Sequence, residues 1–350
     1  MKKDESSSGG SGEGISCSIK LLPEDQWVSA AETAVSRNPL NAPAISQYRQ
    51  ASPGDELTQD RLAVLTTKYW GLGGVNLKVG FTDNPEPALR AKILSHMNAW
   101  GLFANVRFTE SSNNPEVRIS RGPGGYWSYL GTDVLLIPAD RPTMNLEGFS
   151  MSTPDSEFFR VVRHETGHTL GFPHEHMRQD IIDQLDRERT IAYFMRTQGW
   201  SRQTVIDQVL TPLNNSALNA TAEADPNSIM CYFLPASITR TGTAIPGGPD
   251  INANDGNFAG IIYPRPGTSN FFLWRGHGRA LLNIPNSRIS AYSTVFASIS
   301  EYASDPRTSR FIGSARMGVY NIAPYNGGVY VWVEVDWSQP LNTCIDLFIF

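Results

Sequence analysis

One stretch constrains this 350-residue chain more than any other. It is His164-Glu165-Thr166-Gly167-His168-Thr169-Leu170-Gly171-Phe172-Pro173-His174-Glu175-His176, which holds four of the chain's six histidines. Residues four apart on a helix lie on one face about a turn apart, so His164 and His168 can aim ring nitrogens at one ion. Glu165, one step around the helix, cannot easily join that face but can reach a water on the ion. Gly171 permits the left-handed backbone that ends a helix, and Pro173 keeps the helix from resuming. The chain can then return to bring His174 to the same point. Three histidines with one open position form the arrangement of a catalytic zinc, which lowers the pKa of its water to about 7. A neighbouring glutamate then serves as general base and passes the proton to a leaving amine. Five fixed positions, three of them His, occur by chance in such a chain on the order of one time in 10⁵. A helix with two unrelated buried histidines is therefore the poorer reading.

The pattern HExxHxxGxxH is that of the metzincins. With Phe172, Pro173, His174 and Glu175 it resembles their astacin-like branch. Downstream, Asn227-Ser228-Ile229-Met230-Cys231-Tyr232 is similar to the S-x-M-x-Y Met-turn of astacins. The resemblance covers roughly Tyr69 to Tyr263 and extends more loosely to the segments RISRGPGGYWSYLGT and PTMNL. It implies a Zn2+-dependent endopeptidase acting on polypeptides, with two subdomains and a cleft between them. His164, His168 and His174 would be the metal ligands and Glu165 the base. Met230 would floor the three imidazoles. Tyr232 would be a mobile fifth ligand whose phenol stabilises the oxyanion, and a phenol donor near a metal suits that task. Substrate would lie extended along an edge strand by β-augmentation, with 133–138 or the stretch before it as the expected strand. Animal astacins carry disulfides in the catalytic domain, whereas here Cys231 is that domain's only cysteine, so disulfide-free bacterial and fungal relatives fit better. Cys17, Cys231 and Cys344 lie far apart without a CxxC pair, which argues against a thiolate zinc site.

Along the chain, 1–62 reads as an N-terminal extension, partly disordered, with a short helix over 23–36. A catalytic domain follows over 63–264, and an all-β domain, a sandwich or partial barrel, over 265–350. The fold class expected is α+β: a twisted sheet, a zinc-binding helix over 156–171 and a Met-turn, followed by that small β domain. Alternation predicts strands over 75–81, 105–110, 116–120 and 133–138. Apolar spacing predicts a helix over 86–103, and 121–132 reads as a Gly- and aromatic-rich loop.

The extension is a candidate inhibitory pro-segment. Astacin pro-segments block the metal with an aspartate in FxGD; here Ser52-Pro53-Gly54-Asp55 lacks the Phe, which leaves Asp55 set against an ordinary turn. Cys17 is the other candidate, as a thiolate switch. By resemblance Glu175 meets a freed N-terminus, or else it is a carboxylate beside the site; His176 has no assigned role. Trp274, Trp332 and Trp337 could bind substrate, matrix or carbohydrate, although alternating aromatics in strands more often face a core.

The formal net charge is -5, and no basic run suggests nucleic acid. No stretch approaches the ~20 apolar residues of a membrane helix. Met1-Lys2-Lys3 is not followed by the apolar stretch of a signal peptide, while the resemblance points to an extracellular protein. Oligomeric state stays open. Two competing readings are an inactive zinc-bearing binding or adhesion module and a metal hydrolase acting on a non-peptide bond. Retention of Glu165 and Tyr232 argues against the first, since a binding module needs no general base.

Overall fold

In the computed structural model, residues 17–43, 58, 63, 65–71, 74–212, 224–265, 268–286, 288–306 and 308–350 are described. They divide into two units, one ending at Tyr263 and the other starting at Pro264. The first is built on six strands: β1 (Cys17–Lys20), β2 (Val75–Phe81), β3 (Val106–Glu110), β4 (Val117–Ser120), β5 (Tyr126–Tyr129) and β6 (Met144–Leu146). Their order is β1-β5-β6-β4-β2-β3. All neighbours are parallel except β5 and β6. On β2, Val75, Leu77 and Val79 are buried while Asn76 and Lys78 are exposed, the period-2 pattern of a strand with one covered face.

The principal helices are α1 (Trp27–Arg37), α2 (Pro87–Met97), α3 (Arg163–Thr169), α4 (Arg187–Gln198) and α5 (Ala253–Ile262). Pro87 starts α2, where a missing N–H costs nothing, and Leu89, Ile93 and Met97 form its buried stripe. The helix stops short of the expected 103. Asn98 turns its amide to the carbonyls of Leu94 and Phe108, and its oxygen accepts from the Phe108 N–H. The chain then tightens into a 3-10 turn over Asn98–Leu102. Trp100 is buried there, and Leu102 is 73% exposed rather than in the core.

Two further expectations are corrected. The segment 121–132 is not all loop, for it contains β5. The segment 133–138 is not a strand: Gly131–Leu136 is a 3-10 helix. Gly131 adopts φ +50, a Cβ there would collide with the Lys68 carbonyl, and the Thr132 N–H donates to that same oxygen at 3.0 Å. Buried Arg118 donates to the carbonyls of Pro115, Ile137, Pro138 and Arg141. These bonds use carbonyls that a strand would have offered to a ladder.

The second unit comprises β7 (Thr268–Gly276), β8 (Gly278–Pro285), β9 (Val295–Tyr302), β10 (Arg310–Phe311), β11 (Arg316–Tyr325), β12 (Gly328–Asp336) and β13 (Leu341–Ile349). They form a four-stranded sheet, β10-β9-β13-β7, and a three-stranded sheet, β11-β12-β8, both antiparallel. Val329, Val331 and Val333 of β12 share one core with Ile345, Leu347 and Ile349 of β13, which makes a small sandwich. The three tryptophans divide: Trp274 packs on that core, whereas Trp332 and Trp337 are exposed. All three cysteines are free and buried. Among the described residues no helix is long and apolar enough to cross a membrane. Because Ile345 is wholly buried, Ile345→Ala is expected to cost the second unit ~2–5 kcal/mol, measured by chemical denaturation, with metal content of the purified chain unchanged.

Candidate active site

The site grows from the way α3 ends. The helical run begins at Asp155, passes through a wide π-helical turn over Phe158–Val162 and continues as α3. Gly171 follows with φ +91. The Phe172 N–H donates to the Gly167 carbonyl at 2.9 Å and the Gly171 N–H to the His168 carbonyl at 2.8 Å. This pair of bonds is the Schellman ending that a glycine at this position favours. The chain is thereby reversed, and His174 comes back over the helix.

The three imidazoles converge. Nε2 of His174 lies 3.3 Å from Nε2 of His164 and 3.0 Å from Nε2 of His168. Nδ1 of His164 sits 2.6 Å from the Ile229 carbonyl, and Nδ1 of His168 sits 2.7 Å from the Phe172 carbonyl. Carbonyl oxygens only accept, so both Nδ1 atoms carry the proton and both Nε2 lone pairs point inward. Burial holds the His164 pKa down to about 4 and those of His168 and His174 well below their ordinary value, so all three are neutral, as ligands must be. Zn–N bonds of about 2.0–2.1 Å in tetrahedral geometry place ligand nitrogens about 3.3 Å apart. The donor set therefore fits zinc.

Glu165 is fully buried, and neither of its oxygens has a hydrogen-bond partner among the described residues. Burial pushes its pKa up to about 8, against the opposing pull of the Cys17 thiol and Arg160. A carboxyl buried this deeply is costly to ionise.

The Met-turn segment packs against α3. A Cβ on Gly167 would collide with Met230 Sδ, so glycine lets the helix sit on that sulfur without moving it. The turn is pinned from α5. Asn252 and Asp255 form a capping box, and the same Asp255 carboxylate accepts from Ser228 Oγ at 2.5 Å and from the Ile229 N–H at 3.0 Å. Ile229 in turn offers the carbonyl that orients His164. The Glu175 N–H donates to the Met230 carbonyl at 2.9 Å, and Glu175 Oε1 accepts from the Asp225 N–H at 3.0 Å.

Cys17 also reaches the site. β1 runs parallel to β5 in the register Cys17↔Tyr126 to Lys20↔Tyr129. This brings the Cys17 sulfur, a ring nitrogen of His164 and an oxygen of Glu165 within 4.8 Å of one another. The Tyr232 hydroxyl donates to the Cys17 carbonyl. Its ring stacks on His176, with centroids 3.9 Å apart, and lies 4.5 Å from the His174 ring. His176 is fully buried and its Nε2 is 3.0 Å from the Gln208 carbonyl. Asp55 lies outside the described residues.

His164, Glu165, His168, His174, Met230 and Tyr232 are therefore brought together, with Cys17 beside them. Sequence reasoning missed Asp255, Gln208 and the platform role of His176. Only Asp255 left a local signal, the N-x-x-D spacing of a capping box.

The family model of the Astacin peptidases matches residues 65–237. The chain belongs to the astacin family. A solved structure of myroilysin shares 32% identity with it, covers 57% of this chain and 96% of its own, and superposes with a TM-score of 0.53. A second myroilysin structure gives 32% identity over 57% of this chain and 86% of its own, with a TM-score of 0.44. Zinc metalloproteinase nas-27 of Caenorhabditis elegans is 32% identical over 123 residues, 34% of this chain. The chain spans 26% of that relative's length. As a member of this peptidase family the astacin-like chain is a zinc metalloprotease by class, and zinc is the metal its imidazoles fit.

Elemental analysis of the dialysed protein is expected to give one zinc per chain and, for His168→Ala, less than a tenth of that. Asp255→Asn weakens the hold on Ile229, so zinc affinity is expected to drop up to about tenfold in competition with a chromophoric chelator.

Proposed function

We propose that the chain is a zinc-dependent endopeptidase in which Glu165 is the general base and Tyr232 the oxyanion donor. The observation that carries this is the fully buried Glu165, approached by the Cys17 thiol of β1, beside three Nε2 atoms that converge. A zinc-bearing binding module has no use for such a carboxylate, and its burial costs stability. Held by His164, His168 and His174, zinc supplies Lewis acidity, which polarises a carbonyl and acidifies a coordinated water. Glu165 accepts the proton of the attacking water and delivers it to the leaving amine. Tyr232 donates from its phenol to the scissile carbonyl oxygen. Its bond to the Cys17 main-chain carbonyl supports that role, because this carbonyl belongs to an extended strand lying where substrate must lie. The fifth-ligand role of Tyr232 would apply once that strand has left. Met230 shapes the floor, and β5 offers the edge along which an extended polypeptide docks.

On the same reading, 1–62 is a pro-segment, 63–264 the catalytic domain and 265–350 an accessory β domain, in a chain that acts outside the cell as astacins commonly do. Latency falls to Cys17, whose sulfur stands beside both His164 and Glu165. A thiolate binds zinc well and would displace the water that Glu165 needs.

With casein or a quenched peptide, Glu165→Ala is expected to lower kcat by about 10²–10⁴-fold while zinc content is unchanged. A chelator should abolish the wild-type rate. Cleavage at the wild-type rate by the Glu165 variant would refute the mechanism. Cys17→Ala in the full chain is expected to raise basal cleavage at least tenfold, and an unchanged basal rate would sink the latency role.

A further inference from the structure

β1 is the end strand of its sheet, and two side chains from elsewhere occupy its far edge. Tyr232 donates to the Cys17 carbonyl. Gln208 takes the next residue that turns the same way: the Ile19 N–H donates to Gln208 Oε1 at 3.2 Å, and Gln208 Nε2 donates to the Ile19 carbonyl at 3.3 Å. Residues two apart in a strand turn their main-chain groups to the same side, and the other side of β1 is paired with β5. β1 is thus bonded on both edges, by a β-ladder on one and by a pair of side chains on the other. Gln208 itself is mostly buried and sits in a wide π-helical turn over Ile206–Leu210, a rare feature often found at functional sites. Its main-chain carbonyl pairs with His176, on which Tyr232 stacks. The two gripping residues are therefore fixed to one another.

A carboxamide offers one acceptor and a donor group side by side, which is what one extended residue presents. It reads no side chain. If the amide turns over, its oxygen and nitrogen exchange places, so it can hold a strand running in either direction. We propose that Gln208 is a substrate-positioning residue. Once β1 has left, Gln208 grips the main-chain N–H and C=O of the substrate residue two positions from the one whose carbonyl faces Tyr232. The ligand is an extended polypeptide, recognised independently of sequence. This rests on the peptidase reading above.

The test is a backbone scan of the full-length chain and its Gln208→Ala and Gln208→Glu variants. A quenched peptide of defined cleavage site is compared with versions methylated at one backbone nitrogen each. In the wild type, methylation of the gripped residue is expected to lower kcat/KM about fivefold, the worth of one neutral hydrogen bond, through KM with kcat unchanged. In Gln208→Ala the penalty at that one position should fall to about onefold while penalties elsewhere persist. Gln208→Glu, which keeps an acceptor but loses the amide donors, should retain the methylation penalty while its KM for the parent peptide rises. Each penalty is a ratio within one enzyme, so a change in how firmly β1 competes cancels. Cleavage by wild type and Gln208→Ala with the same penalties at every position would overturn the proposal and leave the peptidase reading standing. No cleavage by the wild type even after activation would remove both.

Discussion

Two main-chain carbonyls govern this site. An imidazole in a buried cluster has two nitrogens and no solvent to choose between them, and the oxygens of Ile229 and Phe172 make the choice for His164 and His168. Each accepts a proton that can only come from Nδ1, and so each leaves Nε2 bare toward the centre. The Phe172 oxygen is where it is because Gly171 reverses the chain. The Ile229 oxygen is where it is because Asp255 of the α5 capping box holds the Ile229 N–H. Helix endings, which elsewhere merely satisfy orphan backbone groups, here set the orientation of metal ligands.

The second organising feature is that β1 is held at the histidine cluster from both of its edges. β1 pairs with β5 on one side, and on the other it is held by Tyr232 and Gln208. Cys17 reaches Glu165 and His164 between them. The groups proposed to serve the reaction are therefore observed occupied by groups of the kind a peptide would offer. On the proposed reading, the Cys17 carbonyl and the Ile19 amide hold the places of substrate main-chain atoms.

Much of the metal site was legible in sequence because it is local. His164 and His168 are one helical turn apart, and Gly171 and Pro173 announce the reversal that returns His174. The all-β character of the second unit was legible because Val329, Val331 and Val333 alternate strongly, while the choice between sandwich and partial barrel was not. What was not legible depends on contacts between distant segments. β5 is four residues long in a Gly-rich setting, and only its partners β1 and β6 make it a strand. The run 133–138 has strand-like composition, yet the chain enters it through the tight turn at Gly131 and Thr132 on the Lys68 carbonyl, and the Arg118 side chain takes the carbonyls of Ile137 and Pro138. Cys17 was a candidate by its chemistry alone, and no local pattern says that it meets Glu165 across so long a stretch of chain. Gln208 carries no local signal, and only its bonds to Ile19 single it out.

The way β1 is held has an evolutionary corollary. Apart from the Cys17 sulfur, the bonds described to this segment fall on main-chain atoms: the ladder with β5, the Tyr232 hydroxyl on a carbonyl, the Gln208 amide on an N–H and a C=O. Such a segment is free to drift in sequence at 18 and 19 so long as it stays extended, whereas Lys20 also lies over the Trp127 ring, 5.0 Å from its centroid. It must avoid proline at 19, where the N–H is engaged. Homologous segments doing the same job should therefore look unrelated to one another around a single cysteine, and similarity searches will tend to pass them over.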